Sequence, residues 1–193
     1  MKLILASASP RRAEILRNAG FTFDISPADV DEAILRDERA DDYVQRLAEE
    51  KARSALERVG RDATPAIVIG ADTTVVAGSH ILSKPTSQED ARRMLRLLSG
   101  QTHEVLTGLS VIHSTDARSD SEVETTRVSF AHLSESEIEE YLGTGEPFDK
   151  AGAYGIQGIG GRYVTRMEGC YFNVMGLPLS RLWFMLRKFG WKD

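Results

Sequence analysis

The sequence lacks several features that would define a class of protein. Cys170 is the only cysteine, so the chain can form no intrachain disulfide and cannot by itself supply a cysteine-based zinc site. We expect Cys170 to be a small, buried packing residue. An excess of acidic over basic residues gives a formal net charge of -5, which opposes general affinity for the nucleic acid backbone. We therefore expect no nucleic acid partner, and any phosphate ligand must be met by a local cluster of cations.

Long apolar segments are also absent. The N-terminal run at residues 1–6 is too short for a signal peptide or a membrane span, and polar Ser7 and Arg11 soon follow it. We therefore predict a cytoplasmic protein with no membrane partner. Hydrophobic residues make up 41% of the 193 residues, which is enough to bury a core. Because no repeat or linker-like run interrupts the chain, we predict a single domain over residues 1–193, with room for two lobes.

Apolar residues follow strand-like and helix-like patterns in turn. The apolar run at residues 66–71 predicts a strand covered on both faces, and two alternating segments at 105–112 and 123–132 predict an antiparallel hairpin. Further strands are predicted at 3–6 and 21–25, and helical spacing is found at 10–16, 41–56, 91–98, 138–142 and 179–189. This alternation predicts an α/β fold with a mixed central sheet.

The junction between the first predicted strand and helix reads S-A-S-P-R-R at residues 7–12. Free backbone N–H groups and the positive end of the helix dipole make such a junction an anion site. Cations in that first turn are disfavoured by up to about 1 kcal/mol each, and an arriving phosphate would reverse the sign of that effect. We predict a substrate site here, the alternative being that both arginines pair with surface carboxylates. Its candidate residues are Ser7, Ser9, Arg11 and Arg12.

Lys51 is unusual because it lies on the apolar face of the predicted helix at 41–56, in line with Val44 and Leu47. Burying an unpaired ammonium group is costly. This side chain must therefore either reach solvent along its own stem or meet an anion, and the spacing leaves both readings open.

Asp72 directly follows the apolar strand predicted at 66–71, and ligands in open α/β sheets gather beyond the carboxyl ends of strands. A carboxylate there can hold a metal or take a proton from water, although Asp also commonly caps a turn. Glu32 lies in an acidic segment at 29–32, which is either a solvated loop or a second carboxylate at the same place. Glu32 and Asp72 would supply the one or two carboxylates with which proteins bind Mg²⁺.

Later segments carry weaker signals. Lys84 lies in a loop soon after the Asp72 strand. Residues 149–161 are rich in glycine, which permits close backbone approach to a flat ligand, and Gln157 can offer an amide donor and a carbonyl acceptor to one base edge. The sequence contains neither a P-loop nor a Rossmann glycine motif. Histidines without metal-ligand spacing are expected at ordinary surface or hairpin positions, and these are His80, His103, His113 and His132.

Taken together, these motifs closely resemble those of the Maf family of nucleoside triphosphate pyrophosphatases. The likeness runs nearly from end to end and in order, which makes it more specific than any single motif. Its parts are S-A-S-P-R-R at 7–12, D-E at 31–32, E-K-A-R at 50–53, G-A-D-T at 70–73, K-P at 84–85, L-S-G-Q-T-H at 98–103, D-K-A-G-A-Y-G-I-Q-G at 149–158 and N-V-M-G-L-P at 173–178.

The resemblance implies an elongated α/β fold with helices flanking a mixed sheet and a deep cleft between two lobes, related in shape to inosine triphosphate pyrophosphatases. It also implies dependence on a divalent cation, Mg²⁺, Mn²⁺ or Co²⁺, and it allows a homodimer. The positions that match family residues serving phosphates, metal and water are Arg11, Glu32, Lys51, Asp72 and Lys84, with Asp72 as proton acceptor. Those that match positions tied to base choice are Arg12, Thr73 and Gln157.

Gln157 within A-G-A-Y-G-I-Q-G resembles the subgroup that acts on dTTP and UTP. We therefore expect hydrolysis of these triphosphates to the monophosphate and pyrophosphate, by metal-assisted water attack at the α-phosphorus. The catalytic residues would be Glu32 and Asp72 as metal ligands, with Lys51 and Lys84 as neighbouring cations. The alternatives are a 7-methylguanosine triphosphate pyrophosphatase, a phosphatase with Asp72 as nucleophile, and a nucleotide-binding regulator of cell division that needs no turnover.

Overall fold

Strands and helices alternate in the computed structural model, which describes residues 1–59 and 64–192. The strands are β1 (Lys2–Leu5), β2 (Asp24–Ile25), β3 (Ala66–Ala77), β4 (His80–Leu82), β5 (Thr102–His113), β6 (Ser119–Phe130) and β7 (Val164–Glu168). The helices are α1 (Pro10–Asn18), α2 (Ala40–Val59), α3 (Gln88–Leu98), α4 (Glu135–Gly143), α5 (Tyr171–Val174) and α6 (Leu179–Lys188). Short 3-10 turns cover Glu146–Asp149, Ala151–Ala153 and Ile159–Tyr163.

The strands form one seven-stranded sheet in the order β2-β1-β3-β5-β6-β7, with β4 paired to β3. β1 is parallel to both β2 and β3, whereas the β3–β4 and β6–β7 pairs are antiparallel. The predicted α/β class with a mixed central sheet is therefore confirmed. Each predicted helix and strand is found, with boundaries that differ by a few residues.

The described chain divides into two compact units. The first contains Met1–Asp72, Thr107–Glu124 and Gly176–Asp193, and the second contains Thr73–Leu106 and Thr125–Met175. The single domain predicted for residues 1–193 includes residues 60–63 and 193, which lie outside the described residues. That boundary stays a prediction, as does the cleft that the resemblance implies. No helix of residues 1–59 and 64–192 has the length and hydropathy needed to cross a membrane.

In the first unit, α2 packs its apolar stripe against the sheet. The stripe is fully buried and consists of Val44, Leu47, Ala48, Ala52 and Ala55. Its small side chains let the helix backbone approach β3 closely at Gly70, where a Cβ atom would lie 2.0 Å from the carbonyl oxygen of Ala48. This close approach fixes the position of every other side chain on the same helix face, including Lys51.

We expect Gly70→Ala to lower the free energy of unfolding by about 3 kcal/mol, because the added methyl group meets helix backbone that cannot rotate away. Gly143→Ala is the matched control, since a Cβ atom there meets nothing within 4 Å, and it should stay within about 0.5 kcal/mol of wild type. Urea unfolding of both variants measures the difference. Equal stabilities of the two variants would show that the α2 backbone does not pack closely against Gly70.

The second unit is built around α3 and α4, and both helices begin with a serine cap. Ser134 forms a reciprocal capping box with Glu137. Ser87 accepts a hydrogen bond from the backbone N–H of Asp90, but the Asp90 carboxylate accepts from the N–H of Thr86 instead of Ser87. Cys170 is half-buried, so the prediction of a fully buried cysteine is wrong.

His103 is also placed differently from a surface histidine. It lies on β5, two residues before the strand predicted at 105–112, and its side chain is buried against Phe130 and Tyr154. Its Nε2 atom is 2.8 Å from the hydroxyl oxygen of Tyr154. Burial lowers the pKa of His103 to about 4. The surface interpretation fails here because the alternation of β5 turns this ring into the core, whereas His80 and His132 are exposed.

The low pKa of His103 predicts loss of stability in acid. The unfolded chain binds a proton on this ring near pH 6.5 and the native chain only near pH 4, so stability present above pH 6.5 is lost as the pH falls through that window. We expect wild type to lose about 2–3 kcal/mol more than His103→Gln between pH 7.5 and 4.5. Urea unfolding at both pH values measures this, and the exposed control His80→Gln should follow wild type. Parallel behaviour of His103→Gln and wild type would contradict the prediction.

Candidate active site

The S-A-S-P-R-R segment forms the turn between β1 and α1. Pro10 occupies the first position of α1, and Ser9 precedes it in an extended conformation. The Ser9 side chain does not cap the helix, and the Ser9 backbone N–H instead donates to Ser7 Oγ at 3.2 Å. The first turn of α1 also contains no acidic side chain. This helix end therefore has the polarity that attracts an anion.

Arg12 is buried beside this turn. Its Nε atom donates to the carbonyl oxygen of Gly176 at 2.7 Å, and one terminal nitrogen donates to Ser7 Oγ at 3.1 Å and to the carbonyl oxygen of Ala71 at 2.8 Å. Burial lowers the pKa of Arg12, while the charge of Asp72 opposes this effect and that of Arg11 adds to it. Because Arg12 is buried, the alternative of surface pairing is wrong for this residue.

Asp72 lies in the interior of β3 and not at its end. The strand continues to Ala77, because the β-branched residues Thr73, Thr74, Val75 and Val76 favour extended backbone. The prediction that Asp72 ends its strand is therefore wrong, and so is the alternative that it caps a turn. The side chain nevertheless carries an unusual buried carboxylate, with only 8% of the residue exposed.

Lys51 meets this carboxylate. Its Nζ atom lies 2.6 Å from Asp72 Oδ1 and 2.6 Å from Glu32 Oε1. The Lys51 and Asp72 side chains are about equally buried, whereas the Glu32 side chain is half-exposed. Of the two interpretations that the spacing left open, the structure selects the meeting with an anion, since Nζ contacts two carboxylates in a side chain that is 10% exposed. We call Glu32, Lys51 and Asp72 the Lys51 cluster.

Helix α2 also holds the loop that carries Glu32. The hydroxyl of Tyr43 donates to the carbonyl oxygen of Glu32 at 3.0 Å. Arg46 donates to both carboxylate oxygens of Glu38, at 2.6 and 2.9 Å, and to the carbonyl oxygen of Ala33 at 3.1 Å. These two anchors place Glu32 over Lys51. Bonds of this kind leave no repeating pattern in the sequence, although Tyr43 precedes Lys51 by eight residues and so lies on the same helix face.

The remaining predicted site residues lie in the second unit. Thr73 is half-buried on β3, directly after Asp72 in the chain. Lys84 is exposed in the loop after β4, and Gln157 is exposed in the glycine-rich segment. Their assignments to phosphate and base stay predictions, and the cluster that the structure brings together consists of Glu32, Lys51 and Asp72 with the Arg11–Arg12 turn.

Metal ligands can come from the two carboxylates of the cluster. Within the described ranges, no group of three or more His, Cys, Asp or Glu side chains could hold a metal ion. Lys51 contacts Oε1 of Glu32 and Oδ1 of Asp72, so both carboxylates lie at one place. A pair of carboxylates fits a hard cation that takes its other ligands from substrate phosphates and water.

Comparison with known proteins gives matches over the whole chain. A family model described as Maf-like protein matches residues 2–189. A dTTP/UTP pyrophosphatase of Koribacter versatilis (strain Ellin345) is 52% identical over 190 residues, which cover 98% of this chain and 95% of that protein. The proteins of the same name from Hahella chejuensis (strain KCTC 2396) and Clostridioides difficile (strain 630) are 50% and 48% identical, covering 100% and 98% of this chain and 96% and 95% of theirs.

Two solved structures show distant similarity to this chain. A nucleoside-triphosphatase, dITP/XTP pyrophosphatase, of Mycobacterium abscessus aligns with a TM-score of 0.41 and 13% identity over 69% of this chain and 76% of that one. The Ham1 protein of Staphylococcus aureus aligns with a TM-score of 0.39 and 13% identity over 68% and 72%. TM-scores as low as 0.41 and 0.39 do not establish a shared fold. The expected relation in shape to inosine triphosphate pyrophosphatases therefore stays a prediction.

Proposed function

This chain belongs to the Maf family and is a nucleoside triphosphate pyrophosphatase, and we propose that it hydrolyses dTTP and UTP at the Lys51 cluster. Relatives with that named activity share about half of their residues with it along the full chain, which supports the same substrates here. The recognition of the family from separated motifs is confirmed. The regulator without turnover and the 7-methylguanosine triphosphate enzyme are not favoured by these relatives.

The observation that carries the proposal is one buried ammonium group held between two carboxylates. A structural ion pair needs one partner for Lys51, but this lysine has both Glu32 and Asp72 at 2.6 Å. Two carboxylates and a buried ammonium group are thus joined beside the Arg11–Arg12 turn, and such a combination of anions and cations suits a site where a divalent cation and a phosphate bind together.

A divalent cation fits this donor set, and we propose Glu32 and Asp72 as its protein ligands. Mg²⁺, Mn²⁺ and Co²⁺ are the candidates. When bound, such a cation offsets the negative charge that develops on the phosphate oxygens. Lys51 holds the two carboxylates in place, so that less conformational freedom is lost on binding.

The side chains divide the chemistry of hydrolysis between them. Asp72 accepts a proton from the attacking water, whose oxygen forms a bond to the α-phosphorus while the bond to the bridging oxygen of pyrophosphate breaks. Arg11 and the N–H groups at the start of α1 attract the phosphates. We propose that Lys84 is a further cation that binds the phosphates. We propose that Arg12, Thr73 and Gln157 determine the specificity for the base.

The phosphatase alternative makes Asp72 a nucleophile that forms an aspartyl phosphate. Such a reaction removes the γ-phosphate and releases orthophosphate. The names of the relatives describe pyrophosphatases and do not favour it. A homodimer, a cytoplasmic location and the lack of a nucleic acid partner remain predictions from the sequence.

A substrate panel tests the proposed function. We expect the purified chain with Mg²⁺ or Mn²⁺ to convert dTTP and UTP to monophosphate and pyrophosphate, with lower kcat/KM for dCTP, dATP, dGTP and 7-methylguanosine triphosphate. Ion-exchange separation of the products measures this. Orthophosphate as the first product would support the phosphatase, and no product from any nucleotide would support the regulator.

A further inference from the structure

The glycine-rich segment of the second unit is wrapped around one carboxylate, that of Glu146. Glu146 Oε2 accepts the backbone N–H of Ile159 at 2.8 Å, and Oε1 accepts that of Gly160 at 3.1 Å. The hydroxyl of Tyr141 also donates to Oε1 at 2.8 Å and accepts the N–H of Gly155 at 3.2 Å. Glu146 and Tyr141 therefore bind the segment at both sides of Gln157.

The glycines of this segment make room for these two side chains. A Cβ atom at Gly158 would lie 2.3 Å from Glu146 Oε2, and one at Gly160 would lie 2.4 Å from the Tyr141 hydroxyl oxygen. At Gly155 it would lie 2.7 Å from the Lys150 side chain. These glycines are therefore required for close packing on Glu146 and its neighbours.

The carboxylate form of Glu146 suits this arrangement. Burial alone would raise the pKa of Glu146, but the N–H groups of Ile159 and Gly160 and the hydroxyl of Tyr141 outweigh it, so the pKa is lowered. Lys150 adds to this and also donates to the carbonyl oxygen of Glu146 at 2.7 Å. Hydrogen bonds to an ionised acceptor are stronger than neutral ones, so a single side chain can order several glycines.

We infer that Glu146 is a positioning residue for base choice, because its carboxylate holds residues 155–160 in the conformation that presents Gln157. This inference rests on the proposed function, in which Gln157 reads the base. Glycine-rich backbone has more freedom to lose than any other, so a segment left loose would bind the base weakly. Glu146 orders residues 155–160 before the nucleotide binds.

Discrimination between thymine and cytosine depends on where the Gln157 side chain lies. Thymine and uracil present a carbonyl acceptor where cytosine presents an amino donor. The glutamine amide carries both a donor and an acceptor, so the position of the side chain against the base edge decides which of the two the base meets. Tyr141 and Glu146 hold the backbone on both sides of Gln157, which limits the positions that this side chain can reach.

Glu146→Gln tests the inference with little change of shape, since the amide replaces one of the acceptor oxygens by a donor. We expect KM for dTTP to rise about 10-fold and the preference for dTTP over dCTP to fall about 10-fold, which corresponds to about 1.4 kcal/mol. The kcat for dTTP should stay within about 3-fold, because the variant leaves the Lys51 cluster unchanged. Glu140→Gln, on an exposed part of α4, is the matched control and should behave as wild type.

Two further measurements separate positioning from a general structural role. Amide hydrogen exchange at Ile159 and Gly160 should become at least about 10-fold faster in Glu146→Gln. Gly158→Ala, whose methyl group would displace the same contact, should reproduce the rise in KM. Lower kcat with unchanged KM and preference would indicate a loss of folded protein and would overturn the inference, as would faster exchange without any change in KM. Failure of the proposed function appears in wild type as missing pyrophosphate, whereas failure of this inference appears only in the variants.

Discussion

Asp72→Asn is expected to lower kcat for dTTP about 10³-fold, within the range of about 10² to 10⁴ that a general base contributes. The amide cannot accept the proton of the attacking water, although its oxygen can still accept the hydrogen bond that Lys51 now donates to Oδ1 at 2.6 Å. A loss of this size corresponds to about 4 kcal/mol of transition-state stabilisation. Pyrophosphate release at saturating dTTP measures kcat.

The variant should remain folded, because Lys51 keeps Glu32 as a second partner at 2.6 Å. We expect the free energy of unfolding to fall by about 1 kcal/mol, as for the loss of one ordinary hydrogen bond. Asp42→Asn is the matched control, since Asp42 is an exposed carboxylate at the start of α2, and its kcat should equal that of wild type. Wild-type kcat in Asp72→Asn would remove Asp72 from the chemistry.

Lys51→Met is expected to have the largest effect on stability. The methionine side chain fills the space along α2 but leaves the Asp72 and Glu32 carboxylates together without the ammonium group that now lies 2.6 Å from each. Removing one partner of a buried ion pair costs about 3–5 kcal/mol of stability. We expect a loss of about 3 kcal/mol here, because the Glu32 side chain is half-exposed and water can solvate its carboxylate. Urea unfolding measures the loss.

We also expect Lys51→Met to lower kcat/KM for dTTP by at least about 10²-fold, because neither carboxylate keeps its orientation. Arg53→Met is the matched control on the same helix, since Arg53 pairs with Glu49 on the exposed side. An exposed pair of this kind contributes about 0.3–0.5 kcal/mol, and kcat should not change. A stability loss as small as that of the control would mean that Lys51 does not bridge two carboxylates.

The Lys51 cluster shows which parts of a site a sequence can predict. The spacing of Lys51 with Val44 and Leu47 placed a charge on the apolar face of α2, and the structure confirms that this charge is buried. The cost of burying an ammonium group then required an anion nearby. Local periodicity was sufficient for this step, because a helix face is fixed by the residues of that helix alone.

The identity of the anions required contacts that the periodicity does not contain. Glu32 reaches Lys51 because Tyr43 and Arg46 bind the backbone of its loop, and such side-chain-to-backbone bonds leave no repeating pattern. The resemblance to the Maf family predicted that Glu32 belongs to the site, whereas the spacing of the acidic segment left this open. Asp72 was placed at a strand end because the apolar run stops there, but a strand continues as long as its residues favour extended backbone.

The glycine-rich segment shows a second limit of the sequence. Its glycines predicted close backbone approach to a flat ligand, yet the structure uses them to pack the segment tightly against Glu146 and Tyr141. Glycine lacks a Cβ atom, so it permits close approach both to a ligand and to another part of the chain. Only the position of a distant partner, here at the start of the Glu146–Asp149 turn, distinguishes the two.

Hydrolysis of dTTP in ¹⁸O-labelled water tests most directly the claim that water attacks the α-phosphorus at the Lys51 cluster. Mass spectrometry of the products should find one ¹⁸O atom in the dTMP phosphate and none in pyrophosphate, at a rate that Asp72→Asn reduces about 10³-fold. Label in pyrophosphate or in orthophosphate would place the attack at another phosphorus and contradict the account.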